Sequence, residues 1–423
     1  MARTDSNPKK RVVITGLGPV TPCGVGIAPF WEAVREGHSG VGYVTSFDAS
    51  HLYSRIAGEV RDFDPHEYMS RSDARKSGRF VHFAVAASLL AVEDAGLELR
   101  RLDPFRVGAV LGTSVAGNGN VADDIYAQWL ANGPEQCGPT DCVQMAPHAA
   151  TAHVFIALGI KGPNASVATG CCAGLDAIAT GRDIIRSGEA DVMVVGASEA
   201  CVSEFGMSLL CKTGVLSGHN EEPEKASRPY DATRDGLVLS EGGGALVLES
   251  ADHAMTRGAH IYAEVLGHGS ATEGQHLVIP DPSGVELARA FRFALVDSKL
   301  TAGDMDYVCA HGIGNPGYDA ADTRAIKMVL GERAYNIPVS SIKSTTGQPF
   351  AAGGMWQAAA SCMAMRDSVV PPTINYHHPD PECDLDYVPN QARMARVETA
   401  MINSHSFGGT HSALILRRYE ERN

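Results

Sequence analysis

The sequence lacks a hydrophobic run long enough to cross a membrane. Its longest apolar stretch, residues 82–92, is well short of the roughly 20 residues that a transmembrane helix needs. The first eleven residues are polar and basic and contain no apolar stretch of the kind found in secretory signals. We therefore expect a soluble protein that has no membrane partner, is not exported and remains in the cytoplasm.

An excess of positive charge is also missing. The chain has 35 Lys and Arg residues against 49 Asp and Glu, which gives a formal net charge of −14. Because this charge repels phosphate backbones, we expect no nucleic-acid partner. The sequence has no low-complexity tract, and its 44% hydrophobic and 20% charged residues are typical of a folded chain. With 423 residues it can bury a large core.

Paired cysteine spacing is absent as well. The ten cysteines are scattered, which indicates reduced thiols rather than a disulfide framework. We expect no metal site, because His377, His378, Glu382 and Cys383 lack the spacing of a metal-binding motif. Residues 16–18 (GLG) follow a strand pattern but lack the third glycine of a dinucleotide-binding loop, so we interpret them as a turn.

The sequence does contain a regular alternation of short apolar runs and longer helical patterns, which predicts an α/β fold. Residues 284–298 are typical of a helix, since Leu287, Phe291 and Leu295 recur at one-turn spacing. No Pro-, Gly- or Ser-rich linker separates compact halves, but the chain divides naturally after residue 252. Strands are predicted at residues 11–17, 107–111, 165–168, 192–195, 245–248, 262–266, 307–310 and 399–402.

Cys171 is the candidate nucleophile. It lies in residues 164–174 (NASVATGCCAG), where an apolar strand turns through small residues into a helix. Unpaired N–H groups and positive partial charge at a helix start favour a thiolate and an adjacent oxyanion. The alternative is a buried apolar cysteine, the commoner role of free cysteines. We interpret the neighbouring Cys172 as a packing residue.

Residues 164–174 resemble the nucleophile region of the beta-ketoacyl-acyl carrier protein synthases. Five further blocks resemble that family in the same order along the chain. Residues 370–375 (VPPTIN) and 380–389 (DPECDLDYVP) are closest to the ketosynthases of bacterial aromatic and polyene polyketide pathways. The five blocks are residues 12–18 (VVITGLG), 226–236 (ASRPYDATRDG), 310–312 (AHG), 343–347 (KSTTG) and 407–410 (FGGT).

This resemblance implies a thiolase-like fold of two similar halves in five alternating layers, α-β-α-β-α. The expected halves are residues 1–252, with Cys171, and residues 253–423. It also implies a dimer through the nucleophile half, either with a second copy or with a ketosynthase-like partner. The substrate is expected on the phosphopantetheine arm of an acyl carrier protein, without any other cofactor.

The resemblance also assigns roles to residues of the second half. His311 is expected to polarise the thioester carbonyl of the extender unit and to stabilise the enolate. Lys343 is expected to organise the electrostatics of the site, although an isolated lysine is more often a surface residue. Phe407 and Gly408 are expected to contact the substrate and its pantetheine arm.

Carrier-protein docking is expected at the one dense basic cluster of the first half, formed by Arg71, Arg75, Lys76 and Arg79. The resemblance implies docking in this region. A solvated helix start explains the same charges.

Several positions depart from the family pattern. Gln348 stands where elongating members have a second histidine, and its amide can donate a hydrogen bond but cannot titrate. Gln357 replaces a glutamate that pairs with the lysine. Ile313 and Asn315 replace two threonines that bind the pantetheine arm, and isoleucine cannot make such a bond.

His405 is the most suggestive departure. We interpret it as occupying the position of the gatekeeping phenylalanine, beside Cys171. Its backbone N–H is then expected to complete an oxyanion hole, and its imidazole to replace the acid or base lost at Gln348. The alternative is a histidine that merely lines the acyl tunnel.

The sequence thus predicts a ketosynthase-type acyltransferase of polyketide or related secondary metabolism, which loads an acyl chain onto Cys171 and forms a carbon–carbon bond by decarboxylative Claisen condensation. The alternative is a non-elongating enzyme that transfers or cyclises a carrier-bound chain. A non-catalytic chain-length partner is disfavoured, because such partners lack the cysteine. A degradative thiolase is disfavoured, because residues 407–410 contain no second catalytic cysteine.

Overall fold

The computed structural model describes residues 10–420, so most of the N-terminal segment used above to argue against export lies outside the described residues. Within residues 10–420, no helix is both long and apolar enough to span a bilayer. The strands are β1 Val12–Thr21, β2 Gly24–Val25, β3 Gly42–Tyr43, β4 Ile56–Ala57, β5 Val107–Gly112, β6 Asn164–Val167, β7 Val192–Glu199, β8 Gly242–Ser250, β9 Ala263–Thr272, β10 Tyr307–Cys309, β11 Val339–Ser340, β12 Val369–Val370, β13 Arg393–Met394, β14 Thr399–His405 and β15 Thr410–Arg417. The helices are α1 Ile27–Glu36, α2 Arg71–Ala74, α3 Arg79–Asp94, α4 Asn120–Asn132, α5 Asp141–Gln144, α6 Ala149–Leu158, α7 Ala173–Ser187, α8 Glu204–Thr213, α9 Ala251–Thr256, α10 Val285–Ser298, α11 Pro316–Leu330, α12 Lys343–Thr346 and α13 Ala352–Asp367.

Ten strands form two halves with the same connectivity. From the middle of the sheet outward, the first half runs β1-β8-β7-β5-β6 and the second runs β9-β15-β14-β10-β11. In each half the first strand along the chain is therefore followed in space by the fifth, the fourth, the second and the third. The halves meet where β1 pairs with β9 through Val13–Glu264 and Ile14–Ala263. This repeated order confirms the predicted fold of two similar halves.

The helices form three layers around the two halves of the sheet. Helix α3 packs on β1, β7 and β8, and α10 packs on β9 and β15, so both are outer helices. Helices α7 and α13 contact each other and strands of both halves, which makes them the central layer. The result is the expected α-β-α-β-α arrangement, with the largest apolar core around the central helices.

The central helices approach each other closely because glycine stands at the contacts. A Cβ on Gly174 of α7 would collide with the carbonyl oxygen of Ala351, and one on Gly354 of α13 would crowd Leu175. Strand β5 also reaches the start of α7 through Gly112, where a Cβ would collide with the Ala173 backbone. These contacts fix the start of α7, where the candidate nucleophile lies.

Most predicted elements are present, and the observed strands often extend further toward their carboxyl ends. Of the ten strands that form the two halves, β11 and β15 were not predicted, and neither were the short strands β2, β3, β4, β12 and β13. The interpretation of residues 16–18 as a turn is wrong, because Gly16 and Gly18 lie inside β1. Their missing side chains let α3 pack directly on the strand, since a Cβ at either position would collide with an α3 carbonyl oxygen. The proposed division after residue 252 falls inside α9 and stays a prediction.

Candidate active site

Cys171 lies in a single 3₁₀ turn, Gly170–Cys172, between β6 and α7. Gly170 has φ +62°, and a Cβ there would collide with the hydroxyl of Ser406. The N–H of Cys171 donates to Ser406 Oγ at 3.0 Å, and Ser404 Oγ donates to the Cys171 carbonyl at 2.8 Å. The β14–β15 hairpin of the second half therefore holds the nucleophile turn of the first.

The Cys171 thiol is buried, and burial raises its pKa to about 11. The charge of Lys343 and the hydroxyl of Ser406 lower this pKa, but by less than burial raises it. Desolvation therefore opposes the thiolate that the helix start was expected to favour, and that expectation stays a prediction.

Gln348 is the side chain that contacts the sulfur. Its Nε2 lies 3.5 Å from Cys171 Sγ, and its backbone N–H donates to the Val238 carbonyl at 2.8 Å. Its Oε1 is buried and has no hydrogen-bond partner among residues 10–420. The amide can therefore orient the sulfur or a substrate oxygen, but it cannot supply a proton.

His311 follows β10 and is buried. Its backbone N–H donates to Asn403 Oδ1 at 3.2 Å, while neither ring nitrogen has a hydrogen-bond partner in the described part of the chain. Burial, reinforced by the nearby charge of Lys343, lowers its pKa well below the ordinary value. The imidazole is therefore neutral and can accept a proton or donate one hydrogen bond.

Lys343 is buried rather than on the surface. Its Nζ donates to the His311 carbonyl at 2.8 Å and to Gln357 Oε1 at 3.1 Å. Gln357 in turn donates to the carbonyls of Cys309, Ala310 and Asn403. Burial lowers the Lys343 pKa to about 8, and neither of these partners is a carboxylate. The ammonium group is thus a weakly compensated charge next to His311.

The His405 side chain is buried next to His311, with ring centroids 6.0 Å apart, and it does not line the cavity beside Cys171. Its Nε2 lies 3.2 Å from Glu273 Oε1, and its ring packs on Tyr318 with centroids 4.5 Å apart. Ser406 and Phe407 form the cavity wall next to Cys171. The placement of His405 at the gate is therefore wrong, since the side chain of Phe407 takes that place.

A cavity of about 380 Å³ opens onto Cys171. Its surface is largely apolar, which suits an acyl chain better than a polar metabolite. Helix α8 supplies Leu209 and Leu210, and Phe350 lies at the same wall. The lining residues are Ser114, Val115, Asn118, Gly119, Gly170, Cys171, Cys201, Gly206, Leu209, Leu210, Phe350, Ser406 and Phe407.

The remaining pantetheine candidates lie around the same site. Ile313 is buried in the apolar cluster that contains Cys171. Asn315 is half-buried and caps α11, since its Oδ1 accepts from the Gly317 and Tyr318 N–H groups. Gly408 lies exposed in the β14–β15 turn with φ +84°. Their contact with a pantetheine arm stays a prediction.

Two buried acids hold the His311 loop and were not found from the sequence. Asp319 accepts from the N–H groups of Ile313 and Gly314, and burial raises its pKa to about 6. Asp322 accepts from Gly312 N–H and from Asn403 Nδ2. Both follow the AHG motif on α11, but their role depends on how α11 folds back over the loop.

Glu199 is a third buried acid that sequence reasoning missed. It ends β7 and accepts from the N–H groups of Ser114 and Val115, two residues of the cavity wall. Burial raises its pKa to about 8, so it is largely protonated at neutral pH. The sequence signal that could have identified it is an acidic residue at the end of an apolar strand.

The four residues of the basic cluster have two different environments in the structure. Arg71, Arg75 and Lys76 are exposed on and after α2. Arg79 instead forms an ion pair with Glu241 at 2.7 Å and donates to the Val60 carbonyl. Docking therefore stays a prediction for the first three residues, whereas Arg79 is engaged within the fold.

The four residues that were considered and rejected as metal ligands have different surroundings in the structure. His377 and His378 have exposed side chains, and their backbone N–H groups both donate to Asp231 at 2.7 Å. Glu382 pairs with Arg324, and Cys383 is buried.

Known protein families and individual proteins match this chain over most of its length. Two family descriptions match the chain: Beta-ketoacyl synthase, N-terminal domain, over residues 9–254, and Beta-ketoacyl synthase, C-terminal domain, over residues 262–377. The chain is similar to a 3-oxoacyl-(acyl-carrier-protein) synthase 2 of Synechocystis sp., with 42% identity over 97% of this chain and 99% of the relative. It is also similar to the tetracenomycin polyketide synthase ketoacyl synthase alpha subunit of Streptomyces glaucescens, with 41% identity over 98% of each.

Among solved structures, the fold matches a type II polyketide ketosynthase, solved in complex with its acyl-carrier protein and bound to the hexaketide. The TM-score is 0.91 at 35% identity, over 97% of this chain and 100% of the other. The architecture and the matches together define the thiolase-like fold of the condensing enzymes. The chain belongs to the beta-ketoacyl synthase family.

Proposed function

We propose that this protein is a ketosynthase of polyketide or related secondary metabolism that forms carbon–carbon bonds by decarboxylative Claisen condensation. An acyl carrier protein delivers an acyl thioester, Cys171 Sγ attacks its carbonyl carbon, and the carrier thiol leaves. A malonyl carrier protein then loses carbon dioxide, and the resulting carbanion attacks the acyl-cysteine and releases the thiol.

The observation that carries this proposal is an unpartnered amide oxygen next to the thiol, where an apolar cavity leads to Cys171. Gln348, whose Nε2 lies 3.5 Å from Cys171 Sγ, has a buried Oε1 without a partner among the described residues, and the same holds for both ring nitrogens of His311. Buried polar groups are normally hydrogen-bonded, so such atoms indicate a place for a ligand. An acyl thioester fits this site, because its carbonyl can hydrogen-bond the unpartnered polar atoms and its acyl chain can fill the apolar cavity.

The neutral His311 suits hydrogen bonding to a thioester or enolate oxygen. Burial holds its pKa well below the ordinary value, so the uncharged imidazole is the form that meets the substrate, and it can donate one hydrogen bond. Because the pKa of Cys171 is raised to about 11, the thiol loses its proton as it attacks, and the departing carrier thiolate takes up that proton. Lys343 stabilises the developing negative charge from behind the loop, since it donates to the His311 carbonyl.

A second candidate function follows from Gln348. With an amide at this position and Gln357 as the partner of Lys343, the site has fewer titratable groups for decarboxylation. A non-elongating enzyme that transfers or cyclises a carrier-bound chain needs only the thioester step at Cys171. The presence of Cys171 disfavours a non-catalytic chain-length partner.

We also propose the assemblies that this function requires. The exposed residues Arg71, Arg75 and Lys76 supply positive charge for an acidic carrier protein on a chain of net charge −14. Dimerisation is proposed through β6, which ends the sheet and pairs only with β5 among the described strands. An unpaired strand edge is a template for a strand of another chain.

The test uses the purified full chain with acyl and malonyl carrier proteins. We expect an intact-mass increase equal to the acyl group, followed by release of carbon dioxide and an elongated product. Cys171→Ser removes the adduct, whereas Cys172→Ser, the matched control at the adjacent buried position, retains it. Acylation without carbon dioxide release overturns elongation in favour of transfer or cyclisation, and no adduct at Cys171 overturns both.

A further inference from the structure

Glu273, His405 and His411 converge in a cluster that the condensation chemistry does not use. Glu273 Oε1 lies 3.2 Å from His405 Nε2 and 3.1 Å from His411 Nε2. One ligand atom from each residue falls within 4.8 Å of the others, the one such group of three found among residues 10–420. The cluster is distinct from the His377–Cys383 region considered from the sequence.

Three neighbouring strands place these side chains. His405 at the end of β14 is directly opposite His411 in β15, so their side chains lie on the same face of the sheet. Glu273 immediately follows Thr272, the residue of β9 opposite Thr410, and its N–H donates to the Gly409 carbonyl at 2.8 Å. The backbone thus holds the three groups together without help from a flexible loop.

The cluster is buried but incompletely hydrogen-bonded. The side chains of all three residues are at most 2% exposed. Within residues 10–420, His405 Nδ1 and both ring nitrogens of His411 have no hydrogen-bond partner, although His411 Nε2 lies 3.1 Å from Glu273 Oε1. Buried polar atoms of this kind call for a partner such as an ion.

The side-chain types of the cluster suit a cation. The cluster brings together one carboxylate and two imidazoles, the groups whose deprotonated forms ligate metals.

We propose that Glu273, His405 and His411 bind a divalent transition-metal ion of the Zn²⁺ class. Metal–ligand bonds of about 2.0–2.1 Å separate ligand atoms by about 3.0–3.5 Å, close to the two observed separations. Two imidazoles and one carboxylate favour Zn²⁺ and its neighbours over Mg²⁺ or Ca²⁺, which prefer oxygen ligands. Three protein ligands leave a position for water.

The ion connects the two ends of the active-site hairpin. His405 and His411 flank the turn that carries Ser406, the acceptor for Cys171 N–H, and Phe407, which lines the cavity. Bound metal therefore fixes the base of this turn and its position against the nucleophile. Its chemical role is structural and does not depend on which thioester reaction Cys171 performs.

The test measures metal binding directly on untagged full-length protein. After chelator treatment and gel filtration, we expect Zn²⁺ to bind with a stoichiometry of one per chain by calorimetry and to raise the thermal unfolding temperature. Co²⁺ should give the visible absorption of a histidine-ligated ion. Mg²⁺ should neither bind measurably nor raise the unfolding temperature. His411→Asn should weaken Zn²⁺ affinity by at least about 100-fold.

His378→Gln is the matched control, since it removes an exposed histidine outside the cluster and should leave binding unchanged. His411→Cys, which keeps a metal-binding side chain, should retain Zn²⁺ and shows that loss in His411→Asn is not misfolding. Absence of stoichiometric Zn²⁺ or Co²⁺ binding in the wild type overturns the site, as does equal loss in His378→Gln. If Zn²⁺ and Co²⁺ fail to bind while Cys171 is still acylated, the metal site falls and the proposed function stands.

Discussion

Cys171 illustrates how burial and charge compete at one residue. The start of α7 provides a favourable field for a thiolate, yet the surrounding apolar cluster removes the water that would solvate it. Lys343 restores part of that loss, and burial has lowered the pKa of this lysine to about 8. The reactivity of the sulfur therefore depends on the protonation of a neighbour in the other half.

We predict that alkylation of Cys171 by iodoacetamide accelerates steeply with pH. Below a pKa of about 11 the thiolate fraction rises about tenfold per pH unit, so the rate should rise accordingly from pH 6 to 8. Above pH 8 the slope should fall, because Lys343 loses its proton and no longer lowers the thiol pKa. The rate is measured by peptide mass spectrometry.

The experiment uses a Cys137→Ser/Cys142→Ser background, because both of these cysteines are exposed. Lys343→Met should react about tenfold more slowly at pH 7 and show one uniform slope. A plateau in the wild-type rate by pH 8 would contradict the raised pKa.

At the scale of elements, the turn between β6 and α7 depends on Gly170. We predict that Gly170→Ala costs about 2–4 kcal/mol, because backbone strain at φ +62° adds to a collision with Ser406. The Ser406 contact to Cys171 N–H should be lost with it, so acylation should slow markedly. Denaturant unfolding and intact-mass kinetics measure the two effects.

Gly188→Ala is the control for strain alone. Gly188 ends α7 with φ +82°, and no atom lies within 4 Å of an added Cβ. This variant should cost about 1 kcal/mol and acylate normally. Equal losses in the two variants would show that the collision at Gly170 has no consequence.

The elements also show which features local pattern can predict. Helix α10 and eight of the strands follow from local pattern, since burial on one face or both leaves a trace in adjacent residues. Short strand β11 has too few residues to show a pattern. Cys171, His311, Lys343 and Gln348 were found through motifs whose blocks keep their order along the chain.

The partners of those residues could not be predicted in this way. Glu273 meets His405 across 132 positions of sequence, through the register of β9, β15 and β14. The direction of the Cys171 pKa shift has the same origin, because burial is a property of the assembled fold. The misplacement of His405 at the gate arose because His405 ends β14, whereas Phe407, which lines the cavity, lies two residues further along the chain.

At the scale of the whole molecule, charge should govern recognition of the carrier protein. We predict that Arg71→Glu/Arg75→Glu weakens binding of an acidic carrier protein about tenfold at low salt, and that the difference shrinks as salt screens the charges. Arg100→Glu/Arg101→Glu makes the same charge change at another exposed site and should have little effect. The affinity for the carrier protein is measured by calorimetry. If both double variants weaken binding equally, the cluster acts only through the net charge of the protein and is not a docking site.

Dimerisation should depend on the outward edge of β6. The carbonyls of Pro163 and Val167 accept hydrogen bonds from the β5 side, so the backbone groups of Asn164 point outward. Asn164→Pro removes the outward N–H and should shift the mass measured by light scattering toward the monomer. Asn164→Ala, which retains the N–H, should remain dimeric; a dimeric proline variant would place the interface elsewhere.

The repeated strand order has one further consequence for the molecule in use. The sulfur belongs to the first half, whereas the imidazole, the ammonium group and the amide around it belong to the second. A substrate attached to Cys171 and bound by those groups contacts both halves and stabilises them against each other. The acylated protein should therefore unfold at a higher temperature and resist proteases better than the free protein. This stabilisation should be lost each time the product is released.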